Sequence, residues 1–212
     1  MQALRTLLPP QLFQDSQQSD TPKNVLPYDG EALYHGPIFP KDTADYYLEK
    51  LFKETPWKPD ELIIYGKEFI TDRKVAWYGT KKYEYTYSNK TRVAILFTPL
   101  LLEIKSQVEK ITGVRYDTCL LNLYEHGDQG VGWHADEDAL DADSSIASLS
   151  FGAERRFDFR HKETQETFSQ HLAHGSMIVM QGVIQNYWKH QLPKTKKIKH
   201  PRVNLTFPRI LK

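Results

Sequence analysis

The chain lacks most features that would place it in a common class at once. Cys119 is the single cysteine among 212 residues, so no intramolecular disulfide can form, and a reducing compartment is expected. No segment approaches the roughly 18 apolar residues of a membrane-spanning helix, and no membrane association is expected. Met1 to Phe13 is interrupted by Pro9-Pro10 and has no long apolar centre of a secretory leader. The expected location is the cytoplasm of a bacterium, or the nucleus of a host that has one. A glycine-rich phosphate loop, internal repeats and heptads are all missing, which argues against P-loop nucleotide hydrolysis, solenoids and coiled coils. Net charge is nearly absent too, at +1, and says nothing by itself about partners.

What is present is unevenly distributed. Hydrophobic residues make up 40% of the chain, enough at this length for one domain with a core. Residues 1–26 are polar and proline-interrupted and are expected to be a loose tail, followed by a single domain over 27–212. From Lys67 to Arg92 there are seven Lys/Arg against three Asp/Glu, interleaved with Phe69, Trp77, Tyr78, Tyr83, Tyr85 and Tyr87. From Lys189 to Arg202 there are six Lys/Arg and no acid, whereas Asp136 to Asp143 is acidic. Cys119, inside the strand-like run Tyr116–Leu123, reads as a small core residue.

Two helices are expected. One opens at Lys41-Asp42-Thr43, carries Tyr46, Tyr47, Leu48, Leu51 and Phe52, and ends at Pro56. The other is bracketed by Thr98-Pro99 and Gly113 and presents Leu101, Ile104, Val108 and Ile111 at helical spacing. Beyond Tyr116 the pattern changes to short apolar runs, at 117–124, 146–151, 155–160, 164–169, 176–180 and 201–208. Many short strands separated by turn residues suggest a sandwich or barrel.

Within that region lies His134-Ala135-Asp136, with His190 following 54 residues later. Residues two apart on an extended strand share a face, so His134 and Asp136 can grip one ion, and a distant histidine completes a two-histidine, one-carboxylate set. Such a set leaves coordination positions open and suits non-haem Fe(II) oxygenases. On the last strand Arg202, Asn204 and Thr206 share one face and Val203, Leu205 and Phe207 the other. An inward arginine in an apolar barrel requires an anion, because an unpaired buried guanidinium is very costly. Asn122 and Tyr124 form a further same-face pair.

Asn122-Leu123-Tyr124, Gly132-Trp133-His134-Ala135-Asp136-Glu137-Asp138, Ile146 to Ala153, Phe159-Arg160-His161-Lys162 and Pro201 to Phe207 together resemble the AlkB family of Fe(II)- and 2-oxoglutarate-dependent dioxygenases, in particular its DNA-dealkylating branch. The resemblance runs in order from about residue 60 to the C-terminus. It implies a mainly β, α+β fold, a jelly-roll (double-stranded β-helix) core backed by the two helices. Residues 27–94 would form an extension that recognises the nucleotide, and 95–212 the catalytic core. It implies Fe(II) on His134, Asp136 and His190, with O2 and 2-oxoglutarate as cosubstrates. Arg202 would hold the far carboxylate, with Asn122, Tyr124, Asn204 and Thr206 around it. The family couples oxidation of 2-oxoglutarate to succinate and CO2 with hydroxylation of an N-methyl group, whose product sheds formaldehyde.

One position departs from the family. Where a second arginine usually follows on the Arg202 face, this chain has Pro208, with Arg209 one step on. Either a bulge turns Arg209 inward, or that contact is missing. For the substrate, Tyr85 and Tyr87 match residues that clamp the damaged base, Asp138 matches one that reads its exocyclic edge, and Ile64-Tyr65-Gly66 resembles a finger that fills the gap left by a flipped base. Arg73, with Lys74, Lys81 and Lys82, is expected to meet phosphates or form a solvated basic face. The expected partner is an alkylated nucleic acid carrying lesions such as 1-methyladenine or 3-methylcytosine, DNA ahead of RNA, bound by a monomer. RNA or protein demethylation, a zinc hydrolase using the same three ligands, and a nucleic-acid-binding module with impaired catalysis remain open at this stage.

Overall fold

The computed structural model describes residues 21–64, 67–87, 90–136 and 144–209, with backbone alone for 62–64, 67–69, 85–87 and 90–92. The described chain opens with β1 (Lys23–Asn24) and β2 (Glu31–Pro37), then α1 (Lys41–Glu54). Next come β3 (Lys58–Ile64), β4 (Lys67–Gly79), β5 (Glu84–Tyr87), β6 (Lys90–Val93), β7 (Ile95–Leu96) and α2 (Pro99–Thr112). The second half is built from β8 (Thr118–Tyr124), β9 (Val131–His134), β10 (Ser145–Gly152), β11 (Arg155–His161), β12 (Thr167–Leu172) and β13 (Ser176–Gln181). It closes with α3 (Ile184–Tyr187), β14 (Trp188–Leu192) and β15 (Arg202–Arg209). Residues 23–26 belong to the folded part, ahead of the boundary expected at 27. Lys23 and Asn24 pair with Tyr34 and Leu33, and Leu26 is buried, because the Asn24 side chain accepts from the backbone N–H groups of Leu26 and Ala32.

The strands form two principal sheets, as expected for a jelly roll. The larger runs β1-β2-β13-β10-β15-β8-β4-β3, with β7 beside β4, and the smaller runs β12-β11-β14-β9; β5 and β6 pair separately. Both helices cover one face of the larger sheet. On α1 the buried stripe is Ala44, Tyr47 and Leu51, and the helix stops at Thr55 because Pro56 disfavours a helical predecessor. On α2 the Thr98 hydroxyl accepts from the Leu101 N–H at 3.2 Å, Pro99 opens the first turn, and Gly113 closes the helix at φ +69°. Leu101, Ile104 and Val108 are buried as expected, but Ile111, in the last turn, is exposed.

β15 divides the molecule. Val203, Leu205 and Phe207 enter the helix-side core with Leu121, Leu123 and Leu149. The opposite face of the larger sheet supplies Ile146, Ile178 and Met180, which meet Phe159, Leu172 and Trp188 of the smaller sheet. Cys119 is fully buried on the helix side. The strand expected at 164–169 lies at Thr167–Leu172 instead. The His161 ring nitrogen Nδ1 accepts from the backbone of Glu163 and Thr164, and Gln165 adopts φ +61°, so these residues form a turn.

The start of β15 is held tightly. Gly152 pairs with Arg202, adopts φ +93°, and a Cβ there would lie 2.3 Å from the Pro201 carbonyl oxygen. Gly152→Ala is expected to lower stability by about 2–3 kcal/mol, measured by urea unfolding; an unchanged midpoint would show that this crossing is not tight.

Candidate active site

The two sheets enclose a cavity of about 390 Å³, lined by His134, Asp136 and His190 on one side and by Asn122, Tyr124, Arg202, Asn204 and Thr206 on the other. His134 and His190 face each other across the β9–β14 ladder, their ring centroids 4.2 Å apart. Asp136 sits two residues past the end of β9 rather than on the strand. It is held there by a bond from its backbone N–H to the buried Gln185 side chain at 2.9 Å. One ligand atom from each of the three lies within 4.8 Å of the others, and Asp136 Oδ2 is 3.6 Å from His190 Nε2.

The histidines are prepared to donate electron pairs. His134 Nδ1 lies 2.8 Å from the Gly132 carbonyl, which places the proton on Nδ1 and leaves the Nε2 lone pair free. His190 is 4% exposed. Burial first, and the neighbouring His134 second, push its pKa well below the usual imidazole value, so it stays neutral, as a ligand must.

Opposite the triad lies a buried cation without a counter-charge. Arg202 is 3% exposed, donates from Nη2 to Ser150 at 2.8 Å, and leaves Nε without a partner. Among the described residues no carboxylate pairs with it. Burial, and secondarily the nearby Arg155, lower its pKa to about 10, while Tyr124 opposes the shift. Asn204 donates to Ser148 and to the Leu149 carbonyl, and its own oxygen accepts from Asn122 and Thr206. The donor set suits a dicarboxylate, of which one end would pair with the orphaned guanidinium and the other would reach the ion.

Arg209 does not join them. The β10–β15 register runs without a shift from Gly152↔Arg202 to Ser145↔Arg209, so there is no bulge at Pro208. Arg209 therefore falls on the face of Val203, Leu205 and Phe207, near Tyr116. Pro208 is tolerated because pairing of β15 with β8 ends at Thr206. The expectation for Arg73 is also corrected. Rather than facing phosphates or solvent, it lines the cavity and forms an ion pair with the buried Asp60 at 2.7 Å. Lys74 pairs with Glu125, and Lys81 sits 4.9 Å from the Tyr83 ring centre. Tyr65 and Asp138 lie outside the described residues, as do the side chains of Tyr85 and Tyr87.

Sequence reasoning missed Asp60, Gln185 and Arg155. A polar residue in a short strand or turn carries no mark of burial until its neighbours are known. Ser148 and Ser150 did leave a signal, alternating with Leu149 and Phe151 as one polar face of β10.

A model of the 2OG-Fe(II) oxygenase superfamily matches residues 31–208. The chain belongs to that superfamily. Over 186 residues it is 37% identical to the DNA oxidative demethylase ALKBH2 of Bos taurus, covering 82% of this chain and 67% of that protein. It is equally identical, over the same length, to the alpha-ketoglutarate-dependent dioxygenase alkB homolog 3 of Homo sapiens, covering 64% of it. The chain thus spans about two thirds of the length of these relatives, and it sits in the AlkB branch. The solved structure of OsALKBH1 shares the fold at a TM-score of 0.61 and 14% identity, covering 87% of this chain and 98% of that one. The cofactors of the superfamily are Fe(II), 2-oxoglutarate and O2, and the triad and the orphaned arginine fit the first two.

Replacing any one of three protein ligands should abolish turnover. His134→Ala, Asp136→Ala and His190→Ala are each expected to be inactive but folded, checked by succinate release and circular dichroism; retained turnover in Asp136→Ala would contradict the metal centre. Arg202→Ala should raise the 2-oxoglutarate requirement by at least a hundredfold, in line with the 3–5 kcal/mol cost of breaking a buried pair. Arg209→Ala should change it less than twofold, since this side chain points the other way.

Proposed function

We propose that the chain removes N-alkyl groups from nucleic-acid bases by oxidation, with DNA as the preferred substrate. The observation that carries this reading is the pairing, in one cavity, of the His134-Asp136-His190 set with the uncompensated Arg202 cation. The relatives named as DNA oxidative demethylases support the choice of substrate. When bound, Fe(II) and 2-oxoglutarate supply with O2 the oxidising power that hydroxylates an N-methyl group, and the product loses formaldehyde.

The protein's own residues do the positioning. His134, Asp136 and His190 would hold the ion, which with the cosubstrate and O2 would supply the oxidation. Arg202 would take the far carboxylate of the cosubstrate, and Asn122, Tyr124, Asn204 and Thr206 line the same pocket. Arg202 and Asn204 are kept in place by Ser150 and Ser148 of the neighbouring β10. A zinc hydrolase would have no use for Arg202.

A methyl group on a paired base edge is out of reach in a stacked duplex, so the base must be flipped or single-stranded. Lys194, Lys196, Lys197 and Lys199 are exposed on one loop, which is pinned by bonds between Gly127 and both Thr195 and Ile198. Such a basic loop suits phosphate contacts. Tyr85 and Tyr87 share a face of β5 by strand alternation, as a stacking platform requires. Tyr65 and Asp138 keep their assigned roles, finger and base-edge contact, within this proposal.

The test is incubation with Fe(II), 2-oxoglutarate, O2 and an oligonucleotide containing 1-methyladenine or 3-methylcytosine, in DNA and RNA and in single and double strands. Demethylated base with one formaldehyde per base is expected, fastest on DNA. Succinate without demethylation of any of these would overturn the proposal. Tyr85→Ala and Tyr87→Ala should each weaken oligonucleotide binding by roughly tenfold, since a stacked base is worth about 1–3 kcal/mol; unchanged anisotropy titrations would remove them from the site.

A further inference from the structure

A four-residue helix governs two of the three residues of the triad. α3 (Ile184–Tyr187) runs directly into β14, which carries His190, so His190 takes its position from the helix by chain continuity. Asp136 gets no such support from its own strand. β9 ends at His134, the residue that pairs with His190, and Asp136 lies beyond the end of that ladder. Its backbone is fastened to α3 instead: the Asp136 N–H donates to Gln185 Oε1 at 2.9 Å.

α3 is itself gripped at two points. The Lys162 ammonium donates to the Gln185 carbonyl at 2.8 Å and the Lys162 N–H to the Tyr187 carbonyl at 2.7 Å. These bonds satisfy carbonyls that a helix end leaves open. Gly30, at φ +125°, crosses the start of α3 so closely that a Cβ there would lie 2.6 Å from the Ile184 Cα. The Gln185 side chain is therefore mounted on a fixed base.

Gln185 is 2% exposed, and an amide is taken out of water at low cost only where its polar atoms find partners. Its Oε1 meets the Asp136 N–H, whereas its Nε2 lies 4.0 Å from the Met180 sulfur, a weak acceptor. The oxygen is thus the committed end of the amide, since a backbone N–H can be met only by an acceptor. Met180 lines the same cavity as the triad, so the amide spans from the cavity wall to the backbone of Asp136.

We propose that Gln185 is a positioning residue for the metal centre, which sets how tightly the ion is held by fixing the Asp136 backbone relative to His190. A ligand beyond the end of its ladder loses more backbone freedom on binding an ion than one within it, and that loss weakens binding. The Gln185 bond removes the freedom beforehand. Gln185 acts through Asp136 and does not itself touch the ion. The inference rests on His134, Asp136 and His190 being the ligands, and its test separates the two.

The measurement is calorimetric titration of Mn(II), a redox-stable stand-in for Fe(II), into the metal-free protein, alongside the visible absorption spectrum of the Co(II)-loaded protein. Gln185→Leu keeps the bulk and removes the acceptor. It is expected to raise the Mn(II) Kd about tenfold and to shift the Co(II) spectrum, in line with the roughly 10- to 100-fold effect of residues that orient a ligand. Gln185→Glu keeps an oxygen in the same place and is expected to stay within threefold of the parent, with the parent's spectrum. Should Gln185→Leu fail to fold, as judged by circular dichroism, Gln185→Met serves in its place with the same expectation. A Kd within twofold of the parent in whichever of these folds overturns the proposal. So does an equal loss in Gln185→Glu, which would assign Gln185 to packing alone. Asp136→Ala is the control: if it binds Mn(II) as the parent does, the metal centre itself is misplaced.

Discussion

The structure is organised around a positive charge that the protein does not neutralise. Arg202 is removed from water between two sheets, with one hydroxyl as its hydrogen-bond partner and an unpaired Nε. A carboxylate nearby would cancel the charge and remove the reason for a ligand to enter. Instead the adjacent cations Arg155 and Arg73 are committed elsewhere, the first to carbonyls and the second to Asp60. The surplus charge beside Tyr124 is left for an incoming anion. Stability is given up at this point so that binding can recover it.

Strand alternation makes this possible at little cost to the core. Each residue of β15 that faces the cavity is followed by one that packs against α1 and α2, so Val203, Leu205 and Phe207 anchor the strand that carries the exposed-to-ligand set. The triad sits on the other sheet, where β9 and β14 place two histidines opposite each other and Gln185 fixes the backbone of Asp136. Metal and cosubstrate determinants thus come from facing sheets, and the gap between the sheets sets the length of ligand that can bridge them.

Much of this was legible before any coordinates. His134, Asp136 and His190 were readable because the motifs around them resemble the AlkB family in the right order, and the face of Arg202, Asn204 and Thr206 followed from the two-residue period of a strand. The boundaries of α2 were readable because Thr98-Pro99 and Gly113 act locally. Arg73 was misread, and the two alternatives for Arg209 stayed undecided, for a common reason. Where an arginine points depends on ladder register, and register is set by partners distant in sequence: a bulge opposite Asp60 turns Arg73 inward, and the absence of one at Pro208 leaves Arg209 on the core side. The burial of Asp60 and Gln185 was hidden for the same reason. The turn that displaces β12 depends on the His161 ring accepting two backbone bonds, which composition does not reveal.

The central claim is that the Arg202 cation exists to take a second carboxylate, one chain length from the ion. The most direct measurement compares 2-oxoglutarate with 2-oxobutyrate, which keeps the metal-binding end and lacks the distal carboxylate, in titrations of anaerobic Fe(II)-loaded protein. The account predicts that 2-oxoglutarate binds at least a hundredfold more tightly, since a buried charge-assisted pair is made by one ligand and not the other. Equal affinity for the two would contradict it.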